Sequence, residues 1–410
     1  MNRINDLIRQ KCTNNVKYTT IDDVIKSYSS GLNPRQNFKL NEPDAELYYV
    51  TVKEITSGKI VFSDKTDRIN FDAWNKIQNR SKLEINDILL SGIGTIGKVA
   101  LVDIPVDNWN CSESVILLKP KTDIIIPKYL VHLLRSDSVQ KQWINQSVGS
   151  TLKGLRKENV LKTKIALPPI EIQNEIVEIL DKFDELNKEL DAELIERKKQ
   201  YNYYQKQLLY NDKFQKKRLD EIAYFSQGIQ VSPEEQYDIC SEGMVPFLRI
   251  VDFVKNDEPP RYIYKPDDKY MKLENDEMVM IRYGAAAAGK VFINKYGAIA
   301  NNMFKINVTD EQVNIKYLWH FLSQERIYDK LNSNASGSTM PAINFKLAGS
   351  IEIFIPDMEE QKRIINILDK FEALTNDAEI GLPAEIDLRR KQYEYYRNKL
   401  LSFEELSVNE

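Results

Sequence analysis

Histidine is almost absent from this 410-residue chain, occurring only at His132 and His320. That leaves little material for a histidine-built metal centre or for an imidazole general base, the group best suited to proton transfer near neutral pH. Cysteine is nearly as scarce. Cys12, Cys111 and Cys240 stand far apart without a Cys-x-x-Cys pair, which excludes a disulfide framework and a zinc ribbon. No apolar run approaches the ~18 residues that a membrane-spanning helix needs. The opening residues MNRINDLIRQK carry charge throughout, unlike a secretory signal or the usual transit peptide. A cytoplasmic protein without membrane association is therefore expected. An excess of one charge is missing too. Lys and Arg number 57 against 61 Asp and Glu, a net charge of -4, so bulk electrostatics would not hold the chain on nucleic acid or an anionic membrane. What is present is a length that calls for two to three domains, and a globular composition with 42% hydrophobic residues.

The chain repeats itself. IALPPIEIQ (Ile165–Gln173) returns as IFIPDMEEQ (Ile353–Gln361), and ILDKF (Ile179–Phe183) returns unchanged at Ile367–Phe371, both at a shift of 188. Lys128-Tyr129-Leu130-Val131-His132 pairs with Lys316-Tyr317-Leu318-Trp319-His320, and Gly149-Ser150-Thr151 with Gly337-Ser338-Thr339, at the same shift. RKKQYNYYQKQLL (Arg197–Leu209) matches RRKQYEYYRNKLL (Arg389–Leu401) at 192, four extra residues having entered near Gly381-Leu382-Pro383. The turn Gly92–Val99 aligns with Gly284–Val291, also at 192. A period this long describes two similar domains, each followed by a similar helical segment, and not a solenoid. Between the landmarks the halves differ freely; the stretch SDKTDRINFDAWNKIQNRSKLE has no counterpart in the second copy. A shared frame with private insertions suits two sites of different specificity.

Within each copy, short β-type runs such as LYYVTV, ILLSG and SVILLK, or EMVMIRYG and MFKINV, alternate with Gly, Pro, Asn and Asp clusters. KYLVHLLRSDSVQKQW reads as one amphipathic helix, so an α+β fold is expected. The connecting segment carries apolar or aromatic residues at Ile172, Ile176, Ile179, Phe183, Leu186, Leu190, Leu194, Tyr201, Tyr204 and Leu208, a heptad-like seam without Gly or Pro. Such a helix spans roughly 55 Å at 1.5 Å per residue. The second copy keeps Ile364, Ile367, Phe371, Leu374, Ile386, Tyr393, Tyr396 and Leu400, interrupted at Gly381-Leu382-Pro383, with Pro383 suited to a first helical position. An antiparallel coiled coil between the two segments is predicted. The alternative is that each helix folds onto its own domain.

Motifs that could carry chemistry fail on context. Gly92–Lys98 and Gly284–Lys290 both read G-x-x-x-x-G-K, but Val99 and Val291 replace the Ser or Thr of a phosphate-binding loop, and strands follow instead of a helix. Leu167-Pro168-Pro169-Ile170 and Glu258-Pro259-Pro260-Arg261 do not match the (N/D/S)-P-P-(Y/F/W) loop that methyltransferases use on a flipped base. Pro356-Asp357 with Glu360 and Lys362 imitates a nuclease signature at a helix start, where acidic residues favour the helix dipole. His132 and His320, mid-helix between apolar residues, read as packing or capping residues. No catalytic or metal-binding residues are expected. Charge is uneven: Arg197, Lys198, Lys199, Lys206, Lys213, Lys216, Lys217 and Arg218 face one acid, Asp212, and five cations in Arg389–Lys399 face Glu394. These runs are either a solvated helix face or a surface for a phosphate or protein partner.

The pattern PP-x-x-x-Q-x-x-I-x-x-I-L-D-K-F followed by RKKQY-x-YY-x-x-x-LL, repeated with GLPAEI in the second copy, resembles the specificity (S) subunit of type I restriction–modification enzymes, a phage-defence family. The resemblance extends over essentially the whole chain, including the G-x-x-G-K-V turn and the GST segment. It implies an N-terminal helical segment (1–17), a first target recognition domain (18–168), a central conserved helical region (169–215), a second recognition domain (216–356) and a distal helical region (357–410). The arrangement implied is pseudo-twofold symmetric. Each recognition domain would read one half of a bipartite, asymmetric site on double-stranded DNA. The coiled coil would set the spacing and dock two modification (methyltransferase) subunits, with two restriction (motor–nuclease) subunits joining the full complex. The chain would be non-catalytic and bind no cofactor itself; S-adenosylmethionine, ATP and Mg would sit on partner subunits. Candidate DNA-binding residues are Ser91, Thr95, Lys98, Ser150, Thr151, Lys153 and Arg156, then Arg282, Tyr283, Lys290, Ser338, Thr339, Asn344 and Lys346. Candidate coiled-coil and docking residues are Ile176, Ile179, Phe183, Leu186, Leu190, Tyr201, Tyr204, Leu208, Ile364, Ile367, Phe371, Leu374, Tyr393, Tyr396 and Leu400. Rival readings are a coiled-coil scaffold without a DNA role and a P-loop-like nucleotide-binding enzyme.

Overall fold

A computed structural model describes residues 16–56, 58–147, 154–254, 258–272, 277–284, 287–293, 295–334, 342–377 and 380–403. The expected N-terminal helix over 1–17 thus falls almost wholly outside the described residues. The chain divides into two units, one formed by residues 1–190 with 386–410, the other by residues 191–385.

The first unit is built on an antiparallel sheet in the order Ile25–Ser30, Val115–Pro120, Ile88–Ser91, Val99–Leu101. Side chains alternate across a pleated strand, and here both faces are apolar. Ile116, Leu118, Ile88, Leu90, Val99 and Leu101 face a core shared with helices. Val115, Leu117, Leu89 and Ala100 face a second core with Val50, Trp109 and Cys111. That second core leans on a smaller sheet, Arg68–Ile69, Leu47–Val50 and Trp109–Cys111. The stretch without a counterpart in the other copy supplies the strand Arg68–Ile69 and then the helix Phe71–Arg80, capped by Asn70, whose side chain accepts from Ala73 N.

The second unit repeats the frame. Its antiparallel sheet runs Ala223–Gln227, Met303–Val308, Met278–Ile281, Val291–Phe292. Met278, Met280, Phe304 and Ile306 face the helices, while Val279, Ile281 and Met303 face a smaller sheet. The α+β class is therefore borne out in both copies.

Three local expectations are corrected. KYLVHLLRSDSVQKQW is two helices, Pro127–Leu134 and Asp137–Ser147, because Ser136 Oγ takes the Leu133 carbonyl at 2.6 Å and Gln140 Nε2 the Leu134 carbonyl at 2.6 Å. Gln324 stands between Ile315–Leu322 and Glu325–Asn334 in the second unit, taking the Phe321 carbonyl at 2.8 Å. The glycine turns align differently from their letters. Gly92 N donates to Ser114 O and Arg282 N to Asn302 O; Gly97 N donates to Ser91 O and Gly289 N to Ile281 O. Gly92 therefore corresponds to Arg282 and Gly94 to Gly284, so the second turn is the longer. The helical seam also drifts. Toward its end the buried positions are Tyr201, Gln205 and Leu209, whereas Tyr204 is exposed and Leu208 half-buried; Leu374 is exposed too. A straight helix rotates against a strict heptad, which carries the buried line one residue along.

The helix Ile170–Leu209 is unbroken over 40 residues. Its first part, up to Leu190, belongs to the first unit and its remainder to the second. In each unit it has an antiparallel companion. In the first, Phe183 stacks on Tyr396 (5.4 Å) and packs beside Tyr393, while Tyr18, paired with Ala166 just before the helix, donates its hydroxyl to Phe403 O at 2.8 Å. In the second, Phe371 stacks on Tyr201 and Tyr204 (6.2 and 5.1 Å), while Tyr210 packs on Phe354 (5.1 Å). The companion helices are Leu382–Leu401 and Met358–Asn376. Gly381 marks the break between them, since a Cβ there would lie 2.4 Å from Ala373 O.

Candidate functional site

Each unit carries a rim of loops at one end of its main sheet. In the first unit the sheet strand Ile25–Ser30 ends at Gly31, and a Cβ there would lie 1.7 Å from Cys111 O. In the second, Ala223–Gln227 ends at Gly228, where a Cβ would lie 2.2 Å from Ala300 O. Only glycine allows this approach. Beside it lies the turn between antiparallel strands. Its carbonyl at Gly92 accepts from Leu155 N at 2.8 Å, and the equivalent Arg282 carbonyl accepts from Ile343 N at 3.0 Å. The glycine turn and the segment after GST, far apart in sequence, thus meet in both units. Neither turn opens a helix, which removes the geometry of a P-loop.

In each unit a histidine of the helix Pro127–Leu134 or Ile315–Leu322 is latched to both members of the long helix pair. His132 Nδ1 lies 3.2 Å from Tyr393 Oη, and His320 Nδ1 lies 3.4 Å from Tyr201 Oη. His320 Nε2 is 2.9 Å from Asp369; the equivalent His132–Asp181 distance is 3.6 Å. Burial lowers the pKa of His320, and Asp369 only partly offsets that. Burial alone would raise Asp369, but hydrogen bonds from His320 and Lys316 hold it below the usual carboxylate value. Burial pushes the Tyr393 hydroxyl up to about 12. His132, Asp181 and Asp184 offer ligand atoms within 4.8 Å of one another. Lys128 Nζ already lies 2.5 Å from Asp181, however, and Arg135 4.0 Å from Asp184, so fixed cations neutralise both carboxylates.

The family is decided by sequence. A model of the type I restriction modification DNA specificity domain matches residues 14–197 and again 211–388. The chain belongs to that family. A type I restriction enzyme specificity subunit of Escherichia coli is 34% identical over 281 residues, 64% of this chain and 69% of its own length. A putative specificity subunit of Methanocaldococcus jannaschii is 27% identical over 405 residues, 91% of this chain and 88% of its own. The S subunit of a restriction-modification system from M. genitalium shares the fold at a TM-score of 0.53 and 18% identity, over 95% of this chain and 97% of that one. A structure described under the assembly and conformational transition of the type I R-M system gives 0.62 at 16% identity, over 94% and 97%.

In the first specificity domain, Ser91 is buried and its Oγ accepts from Lys98 N at 2.8 Å, while Lys98 Nζ donates to Val52 O at 3.0 Å. Both shape the turn. Thr95 and Arg156 are exposed; Ser150, Thr151 and Lys153 lie outside the described residues. In the second domain, the Arg282 guanidinium lies 5.0 Å over the Tyr283 ring, and its buried Nε has no partner among the described residues. Lys290, next to Gly289 of the turn, lines a cleft of about 550 Å³ together with Tyr201, Trp319 and Glu372. Asn344 caps the helix Phe345–Gly349 through Leu347 N, Lys346 is exposed, and Ser338 and Thr339 lie outside the described residues. Two buried glutamines escaped the sequence reading. Gln173 Nε2 donates to Ile124 O and Pro168 O, and its Oε1 accepts from Ile126 N (3.0, 2.8 and 2.8 Å). Gln361 does the same for Gln312 O, Pro356 O and Asn314 N (2.7, 2.9 and 2.8 Å). The signal was a glutamine kept at the same place in IALPPIEIQ and IFIPDMEEQ, beside the equally repeated Glu171 and Glu359.

Proposed function

We propose that the chain is a non-catalytic DNA-reading subunit, each specificity domain reading one half of a bipartite, asymmetric duplex site. The observation that carries this reading is the duplicated family domain on one polypeptide, with the same frame in both units and different side chains on the two rims. One recognition domain would occupy 18–168 and the other 216–356, with 169–215 as the central and 357–410 as the distal helical region. Thr95 and Arg156 in one domain, and Arg282, Tyr283, Asn344 and Lys346 in the other, are the candidates for contacts to phosphate and base. Lys198, Lys206 and Lys213 are exposed cations on or just after the helix Ile170–Leu209. With the exposed seam residues Tyr204 and Leu374, they are a surface for two methyltransferase subunits, which would bring S-adenosylmethionine. ATP and Mg would come with two restriction subunits in the full complex. A chain of net charge -4 binds duplex weakly by bulk electrostatics, so tight binding is assigned to the assembled complex.

The test is co-expression with a methyltransferase subunit in a host free of background methylation, followed by sequencing of methylated sites. The expected result is one split motif that disappears when this chain is omitted. A motif that survives the omission, or nucleotide binding by the isolated chain, would sink the reading.

A further inference from the structure

The same two loops of the rim are tied by a side-chain pair in both units, but the pair differs in chemistry. In the first unit Asn33, two residues beyond Gly31, donates through Nδ2 to Glu113 Oε1. In the second, Asn301 Nδ2 donates to Gln230 Oε1 at 3.3 Å, Gln230 standing two residues beyond Gly228. The positions correspond. Ser30 pairs with Ile116 as Gln227 pairs with Phe304, which equates Gly31 with Gly228 and Glu113 with Asn301. Each pair lies next to the turn, because the following residues, Ser114 and Asn302, accept from Gly92 N and Arg282 N. Glu113 and Gln230 are exposed, Asn33 and Asn301 half-buried.

We propose that Glu113 and Asn301 each specify one base pair in their own half-site, Glu113 a cytosine and Asn301 an adenine, while Asn33 and Gln230 act as positioning residues. This deepens the reading given under Proposed function and rests on it. An ionised carboxylate only accepts hydrogen bonds. Asn33 engages one Glu113 oxygen and leaves the other for a donor, and the cytosine N4 amino group is the donor that Glu and Asp read in the major groove. A carboxylate facing a phosphate would be repelled, so a DNA contact from Glu113 goes to a base donor and not to the backbone. The amide of Asn301 gives one N–H to Gln230 and keeps a second N–H and its carbonyl oxygen. Those are the donor and acceptor that an adenine edge pairs with through N7 and N6. Asn33 is the positioning member of its pair, since it gives an N–H to Glu113 while its Oδ1 accepts from Arg35 N at 2.8 Å.

Two isosteric variants keep the tie and change what the rim offers a base. In Glu113→Gln, Asn33 can still donate to the amide oxygen; in Asn301→Asp, Gln230 Nε2 can donate to the carboxylate. Each would be assembled with the methyltransferase subunit and assayed on duplexes in which every base pair of the wild-type motif is substituted in turn. Thermal unfolding of each complex would be followed alongside. Glu113→Gln should lower discrimination about ten-fold at one cytosine of the first half-site only, the scale of one bidentate or charge-assisted base contact. Asn301→Asp should do so at one adenine of the second half-site only. An unchanged motif overturns the assignment, as does a uniform loss over all positions or relaxation in the wrong half-site. A wild-type complex that methylates no split motif overturns this proposal together with the DNA reading, so the two failures are distinguishable.

Discussion

His320 shows what one buried polar side chain does to a packed unit. It is fully enclosed, with Asp369 on one ring nitrogen, the Tyr201 hydroxyl near the other, and Lys316 paired with the same carboxylate at 2.7 Å. Burial depresses its pKa below the ordinary 6.5. The unfolded chain therefore binds this proton more readily than the folded unit, and stability falls as pH drops below about 6.5. The slope cannot exceed about 1.4 kcal/mol per pH unit for one group. Asp369 acts in a separate window, its lowered pKa adding stability that is lost only in acid, below about 3.8. Urea unfolding between pH 7.5 and 5.5, followed by hydrogen exchange in the helix Ile315–Leu322, should show the loss in the wild type. His320→Gln should be less stable at pH 7.5 but flat across that range. An equal slope in the variant would show that another group titrates.

At the scale of the elements, the long helices exchange partners along the chain. Tyr393, Leu400 and Leu401 come from the end of the sequence, yet they sit in the core of the first unit with Ile172, Ile176 and Leu180. Tyr201 and Leu209, from the first repeat, sit in the second core with Ile364 and Leu368. Removing residues 381–410 should therefore loosen the first unit, although the cut adjoins the second. Amide exchange should accelerate over 172–180 and stay unchanged over 358–368; the opposite pattern would refute the exchange. The repeated letters made the two frames, the long helix and the break at Gly381 legible, because apolar periodicity and a glycine need no partner to be read. The drift of the seam from Tyr204 to Gln205, and the shift that sets Gly92 opposite Arg282, were not legible. Both depend on which strand or helix packs against the element, and nearest-neighbour letters do not encode that. The Asn33–Glu113 and Gln230–Asn301 ties were hidden for the same reason, since each joins loops far apart in sequence. Gln173 and Gln361 were legible only as a letter repeated in both copies; their burial, which obliges them to find partners, is not written in polar neighbours such as Asn174, Glu360 and Lys362.

For the whole molecule, the continuity of Ile170–Leu209 matters most. No Gly or Pro lies within its 40 residues, and its two parts belong to different units. A helix without a breaker transmits length: four inserted residues add roughly 6 Å and about one turn. If each unit reads its own half-site, that length has to reappear in the DNA, where base pairs follow one another at roughly 3.4 Å. Inserting four helix-forming residues after Leu190, where the first unit's share of the helix ends, should lengthen the spacer of the methylated motif by one or two base pairs. Both half-sites should keep their sequences, because the rims and their side-chain pairs are untouched. Sequencing of methylated sites reads the two quantities separately. A spacer that stays fixed would mean that the helix does not set the distance, and altered half-sites would mean that the units do not read DNA independently of it.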